Sequence, residues 1–435
     1  MLLLLLSSLF YQYIISTLIT SVIILLCYFT IVEYRRVQRR DKSRLRHQKY
    51  SLSDQNDIDS IRKQLDPLDH TLYWYPVALS HEITNKQPYG FQLLNEPLCL
   101  YRTGKNNDVV CVVDRCPHRS APLSLGQMTK QGTLECIYHG WQYGVDGKCQ
   151  VIPSTSKYSN VASVICAQTK PVHEQYGFIW VWPGRKDLAH SDLIPHQLLA
   201  DLQHSTDYIM SPEGYRVLDI PYDLMVDNLL DIAHIDFTHD GLIGKRSLAT
   251  CIKCEKLSTN LFSSINSESC SFKLTRPEST KNKGECTYMH FLPPCFIRLE
   301  HIFQKERKFT QIMINIPSAT NKMKLLFQFY RNFAKFKFVE YIPGYDYYMN
   351  NMNVKIVNQD LLLLDGINRN VDLYSAPLLG SIVSADQPIK AFRKYQMKTL
   401  MKYQTIYFKS WQKQIFKDGE GSGNSIDDIE DLRTS

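Results

Sequence analysis

CPHRSAPLSLG at residues 116–126 and CIYHGWQY at 136–143 each set a cysteine and a histidine into a short, turn-rich loop. The pairs are Cys116-x-His118 and Cys136-x-x-His139, with seventeen residues between His118 and Cys136. Pro117, Gly126, Gly140 and Gly144 allow tight turns that bring backbone N–H groups toward the thiols. Four such ligands could hold a tetrahedral zinc, but zinc fingers group a cysteine pair ahead of a histidine pair. Here each loop mixes the two types. A [2Fe–2S] centre with two Cys on one iron and two His on the other needs that arrangement, and imidazole ligation raises its potential.

The loops lie in a β-rich stretch. LYWYPVAL (72–79), FQLLNEPLCLYR (91–102), DVVCVVDRC (108–116) and GFIWVWPG (177–184) are short runs broken by Gly, Pro and Asn, which predicts an all-β domain at 72–184. Further on, CSFKLTRP (270–277), FIRLEHIF (296–303) and TQIMINIP (310–317) alternate as antiparallel strands do. The basic, aromatic run 322–338 reads as a solvated edge strand. Residues 354–370 predict a helix, and 388–417 a long amphipathic one burying Phe392, Tyr395, Leu400, Tyr403, Tyr407 and Trp411.

An electron relay needs a consumer. DNLLDIAHIDFTHD (227–240) offers Asp227, Asp231, His234 and His239 on a helix expected to end near Thr238. Residues five apart on a regular helix point about 140° apart. The histidines converge on one metal only if His239 lies beyond the helix end, turned back at Gly241. Two His and one carboxylate make the facial triad of non-haem iron, with positions left open for O₂. Asp231, one turn before His234, is placed to accept that imidazole's N–H. VNQDLLLL (357–364) supplies Asp360 among apolar neighbours, where an acid is costly unless paired or metal-bound. Asp365 competes with it. Cys251-Ile-Lys-Cys254 is half of a zinc ribbon without its second half, so it reads as two thiols.

Charge divides the chain unevenly. From Leu2 to Val32 no residue is charged, and at ~1.5 Å per residue the run exceeds a ~30 Å hydrocarbon core. It lacks the basic start and small-residue cleavage site of a secretory signal, so a retained transmembrane anchor over 1–32 is expected. Residues 33–49 then carry eight Lys/Arg against two acids, nearly all of the net charge of +7. That run puts the bulk of the chain on the cytosolic side. The near-neutral remainder argues against a nucleic-acid surface. Twelve irregularly spaced cysteines in a reducing compartment read as thiols and metal ligands. No flavin or nicotinamide signature appears, so electrons must come from a separate reductase or an NAD(P)H-dependent ferredoxin system.

WYPVAL (74–79), DRCPHRSAPLSLG (114–126), CIYHGWQY (136–143) and YGFIWVWPG (176–184) together resemble the Rieske domain of the Rieske non-haem iron oxygenases. The resemblance extends over roughly residues 72–417. Respiratory Rieske proteins carry an extra cysteine in each cluster loop, and these loops have none. The fold class implied is α+β: an N-terminal transmembrane helix, an all-β Rieske [2Fe–2S] domain at 72–184, and a helix-grip catalytic domain at 185–417. In the last, an antiparallel sheet wraps a long C-terminal helix. A basic juxtamembrane segment and linker fill 33–71, and an acidic disordered tail 418–435.

By the same resemblance Cys116, His118, Cys136 and His139 hold the Rieske cluster, and His234, His239 and Asp360 hold mononuclear Fe(II). Asp231 bridges that iron to a Rieske histidine, His139 or His118, of the neighbouring subunit in a homotrimer. Asp227 supports without ligating. Gln359 stands where the family commonly has an acid. The co-substrates implied are O₂ and a lipophilic small molecule. An anchor suits a membrane-dissolved substrate, so a sterol at the endoplasmic reticulum is the expectation. The alternative is a tetrapyrrole, although pheophorbide-type members typically carry a C-terminal C-x-x-C before membrane segments, and neither is seen here. Two readings from other classes are a Rieske electron relay without catalytic iron and a zinc-stabilised adaptor.

Overall fold

The computed structural model describes residues 2–44, 64–103, 107–155, 165–203, 205, 207–211, 213–258, 262, 266–277, 284–335, 342, 344–374 and 381–415. Most of the expected linker, the acidic tail, and the side chains of Tyr403, Tyr407 and Trp411 lie outside the described residues. Leu2–Arg44 is one helix of 43 residues. Its segment Tyr13–Val32 is long and apolar enough to cross a bilayer, and none of it is buried against the protein.

Three small antiparallel sheets follow. Tyr75–Leu79 pairs with Phe178–Val181, which also pairs with Val172–Gln175. Glu96–Arg102 runs between Tyr89–Leu93 and Val109–Val113, a β-branched strand buried on both faces. Four very short strands, from Gln127–Met128 to Cys149–Val151, carry the second Cys/His loop. Arg102, 2% exposed, ties the first two of these sheets together. Its Nη1 and Nη2 grip both oxygens of Glu174, and its remaining N–H groups reach the carbonyls of Ile83, Asn107 and Ser80. All five donors are used, which is the condition for burying a guanidinium.

The C-terminal half is built on an eight-stranded antiparallel sheet. Lys253–Lys256, Cys270–Thr275, Cys286–Leu292, Phe296–Phe303, Arg307–Ala319 and Lys322–Arg331 are successive neighbours, as the alternating sequence runs predict. Lys322–Arg331 is not the solvated edge expected for it. It pairs with Arg307–Ala319 on one side and with Ile209–Met210 and Gly214–Leu218 on the other. The basic residue that misleads is Lys324, whose buried ammonium donates to the Val77 carbonyl at 2.8 Å and lies 4.1 Å from the Tyr215 ring centre. One apolar cluster runs between the small sheets and this large one, with Trp180 stacked on Phe296 at 6.2 Å.

The last helix, Gln387–Ile415, lies against the sheet through Phe392 and Tyr395, with the Phe392 and Phe291 rings 5.3 Å apart. The buried stripe stops short of Leu400, which is exposed rather than buried as expected. The segment expected as one helix to Thr238 is broken. Tyr222–Leu230 starts behind Pro221, where a missing N–H costs nothing, and ends at Asp231, whose backbone is extended. Asp231 Oδ1 accepts the Ala233 N–H at 2.7 Å, an Asx turn that competes with helical pairing. A single helical turn, Ile235–Thr238, then lies between His234 and His239.

Arg393 of the last helix fastens this segment by ion pairs to Asp227 and to Asp223. Replacing Arg393 with Met strands two part-buried carboxylates, so the variant should lose about 3 kcal/mol of stability. A thermal melt followed by far-UV circular dichroism measures it.

Candidate metal centres

The two Cys/His loops are built alike. The Cys116 N–H donates to the Ala121 carbonyl and the Ser120 N–H returns to the Cys116 carbonyl, both at 2.8 Å. Cys136 repeats the pattern with Trp141 and Gly140, at 2.8 and 2.9 Å. Each turn needs a left-handed residue, Ser120 at φ 57° and Gly140 at φ 70°. Ser120 adopts it at a cost of about 1 kcal/mol; Gly140 does so freely.

The thiols of Cys116 and Cys136 are buried, whereas His139 is exposed and His118 half-buried, with their ring centres 4.5 Å apart. The Tyr143 hydroxyl and Cys116 Sγ are hydrogen-bonded at 3.0 Å. Trp141 stacks on His118 with ring centres 4.3 Å apart and planes within 6°. A buried pair of thiols beneath two more accessible imidazoles fits a [2Fe–2S] unit with one iron of each kind. His118 Nδ1 is buried without a hydrogen-bond partner, as a ligand atom would be before its metal is counted. All twelve cysteines are free, including Cys251 and Cys254.

The helix break decides the second site. It brings the His234 and His239 rings to 5.3 Å, against the wide divergence of a regular helix. Asp360, on the helix Tyr345–Tyr374, points its Oδ1 at His239 Nε2 (3.1 Å) and His234 Nε2 (3.5 Å). The three ligand atoms lie within 4.8 Å of one another. Asp365 is elsewhere, exposed and paired with Arg369.

The His239 Nδ1–H donates to Gln359 Oε1 at 2.9 Å, which leaves the Nε2 lone pair for a metal. Burial works to lower the pKa of His239, but Asp360 and Gln359 outweigh it and hold the ring above the usual imidazole range. The Asp360 carboxylate that favours a proton at Nε2 also suits a cation there. Two imidazoles around one buried carboxylate therefore fit Fe(II) with open positions. Asp231 is less tightly placed than expected, with its Oδ2 3.9 Å from His234 Nδ1, too long for a hydrogen bond. Asn228 was not singled out from the sequence; its Nδ2 donates to Asp360 Oδ1 at 3.4 Å. Gln359→Leu should cut iron affinity at this site by about 10–100-fold while sparing the cluster, read by iron titration of the metal-depleted chain.

The triad opens into a cavity of about 330 Å³. Its far wall is the sheet, where Phe303, Phe309, Phe327 and Phe329 dominate, and among the described lining residues there is no Lys or Arg. A mostly apolar cleft with a few polar groups is the common form of a small-molecule site.

Residues 73–168 match the family described as the Rieske [2Fe-2S] domain, and 218–401 match the vanillate O-demethylase oxygenase C-terminal domain. Chlorophyllide a oxygenase of Oryza sativa subsp. japonica, a chloroplastic protein, is 29% identical over 309 residues, covering 68% of this chain and 51% of the relative. Pheophorbide a oxygenase of the same plant, also chloroplastic, is 27% identical, with 68% and 56% covered. A vanillate O-demethylase oxygenase subunit from a Pseudomonas strain is 39% identical over 175 residues, 40% of this chain and 46% of the relative. The chain thus spans about half the length of these curated relatives. Dicamba monooxygenase bound to dicamba shares the fold at a TM-score of 0.61 and 22% identity, over 77% of this chain and 98% of that one. The chloroplastic relatives overturn the expected placement at the endoplasmic reticulum facing the cytosol.

Proposed function

Because the chain belongs to the Rieske non-haem iron oxygenase family, we propose that it uses O₂ and electrons from a separate donor to oxidise a C–H-bearing, apolar ring substrate. The observation that carries this is the convergence of His234, His239 and Asp360 at the floor of a mostly apolar, aromatic-walled cavity with no Lys or Arg among its described lining residues. When bound, the cluster supplies single electrons and the mononuclear iron supplies O₂ activation.

The chain's own residues do the rest. Gln359 holds the tautomer of His239, Asn228 steadies Asp360, and the sheet wall excludes water. We assign Asp231 to orient His234 and to face the cluster loops of a neighbouring subunit in a homotrimer. Its partial exposure and the bared Ile137 and Tyr138 beside His139 support that contact. Tyr13–Val32 supports a membrane attachment. The chloroplastic relatives support a plastid setting.

Relatives named for chlorophyllide a and pheophorbide a support a tetrapyrrole as the substrate, the alternative in the sequence reading. A sterol is the second reading, favoured by a cavity lining without a cation to meet a carboxylate. Incubating the reduced full chain with ¹⁸O₂ and, separately, chlorophyllide a, pheophorbide a and cholesterol distinguishes them by mass spectrometry. O₂-dependent turnover of a tetrapyrrole is the expected result. Turnover of cholesterol alone selects the second reading, and no oxidation of any of the three overturns both.

A further inference from the structure

The wall of the cavity opposite the iron ligands is one face of three neighbouring strands, Phe296–Phe303, Arg307–Ala319 and Lys322–Arg331. Alternate residues of each strand line it, as the pleat requires. Of nine such positions seven are apolar, and the two that are not stand together. Leu299 is opposite Gln311 and His301 opposite Phe309, so His301 and Gln311 are diagonal neighbours on the same face. Gln311 is opposite Phe329 on its other side.

His301 is held firmly. Its Nδ1 meets Thr287 Oγ1 at 2.9 Å, and its ring is stacked near-parallel with Phe303 and Phe309, 6.3 and 6.2 Å away. Burial lowers its pKa to about 4, so the ring is neutral at physiological pH. Thr287 occupies only Nδ1, so the ring's Nε2 is left over for something else, as an N–H donor where Thr287 donates to Nδ1 and as an acceptor in the other tautomer. His301 also stands at a junction. A second, more polar cavity of about 280 Å³, containing the Arg276–Asp236 ion pair, shares five lining residues with the first, His301 among them. A polar pair in an aromatic wall costs stability unless it meets a partner, and none of the described protein groups supplies one to Gln311.

We propose that His301 and Gln311 form the recognition site for one oxygen substituent, a ring ketone or hydroxyl, on an otherwise apolar polycyclic substrate. By binding that oxygen they set which carbon faces the iron ligands. The inference rests on the oxygenase reading for its orientation claim, but the binding claim can be tested apart from turnover.

The experiment uses the full chain in nanodiscs and equilibrium dialysis with two pairs of probes. These are pheophorbide a against its derivative with the ring ketone reduced to methylene, and cholesterol against cholest-5-ene. At least one oxygenated probe should bind about tenfold more tightly than its partner. His301→Phe, which keeps the aromatic stack, should erase that preference without weakening the deoxygenated probe, and His301→Gln should restore part of it. The double variant His301→Phe, Gln311→Leu should show none. Where turnover is seen, His301→Phe should also spread the products over more than one carbon. Equal affinities in the wild type, equal losses for both members of a pair, or no binding of any probe overturns the proposal. An intact preference with no oxidation leaves it standing and counts against the oxygenase reading on these substrates.

Discussion

Asp360→Ala should lose the mononuclear iron and at least about 100-fold of the turnover, while its cluster remains at full occupancy. Loss of an outer partner of a metal ligand already costs about 10–100-fold, and Asp360 is the sole carboxylate of the described triad. It is 4% exposed, and one of its oxygens faces both imidazoles. Without that oxygen the described site keeps two imidazole ligands and no carboxylate ligand to hold a dication. Asp365→Ala, by contrast, should change neither iron content nor rate, because it only releases an exposed i, i+4 pair with Arg369. Metal analysis by plasma mass spectrometry, alongside the rhombic electron paramagnetic resonance signal of the reduced cluster, separates the two. Loss of iron in the Asp365 variant instead would mean that the helix presents a different face.

Asp231→Asn should give the second large effect, and a different one: both metal centres intact, turnover down by about 100-fold or more. The amide keeps the oxygen that accepts the Ala233 N–H, so the Asx turn and the helix break survive. What it removes is the negative charge 3.9 Å from His234 Nδ1, a buried nitrogen that has no hydrogen-bond partner among the described residues. Single-turnover experiments on the fully reduced protein read this most cleanly. The cluster should accept electrons at the normal rate and fail to oxidise substrate. If the variant turns over normally, Asp231 is a local capping residue only.

These two carboxylates also show what was legible in the sequence. The cluster ligands could be read because all four lie within twenty-four residues, in loops whose backbone repeats itself. His234 and His239 could be read as convergent only on the condition that His239 lies beyond the helix end, which it does, just after Thr238; what could not be read was the earlier break at Asp231. The break arises from the Asp231 side chain competing for a backbone N–H, a contest that hydrophobic periodicity does not register. Asp360 lies 121 residues beyond His239; the family resemblance favours it over Asp365, and the packing of its helix brings it to the histidines. Lys322–Arg331 was misread because a buried lysine, satisfied by a carbonyl and an aromatic ring, looks like a surface one. His301 and Gln311 carried no signal: one polar residue in an alternating strand is ordinary, and register alone makes them neighbours.

The most direct test of the two-centre account is the iron, acid-labile sulfide and zinc content of the purified full chain, measured with the electron paramagnetic resonance spectrum of the reduced protein. The account requires about three irons and two sulfides per chain, a rhombic Rieske signal and no stoichiometric zinc. Two irons with the signal intact in fully loaded protein would reduce the molecule to an electron relay and contradict the catalytic claim. Zinc without sulfide would contradict both centres.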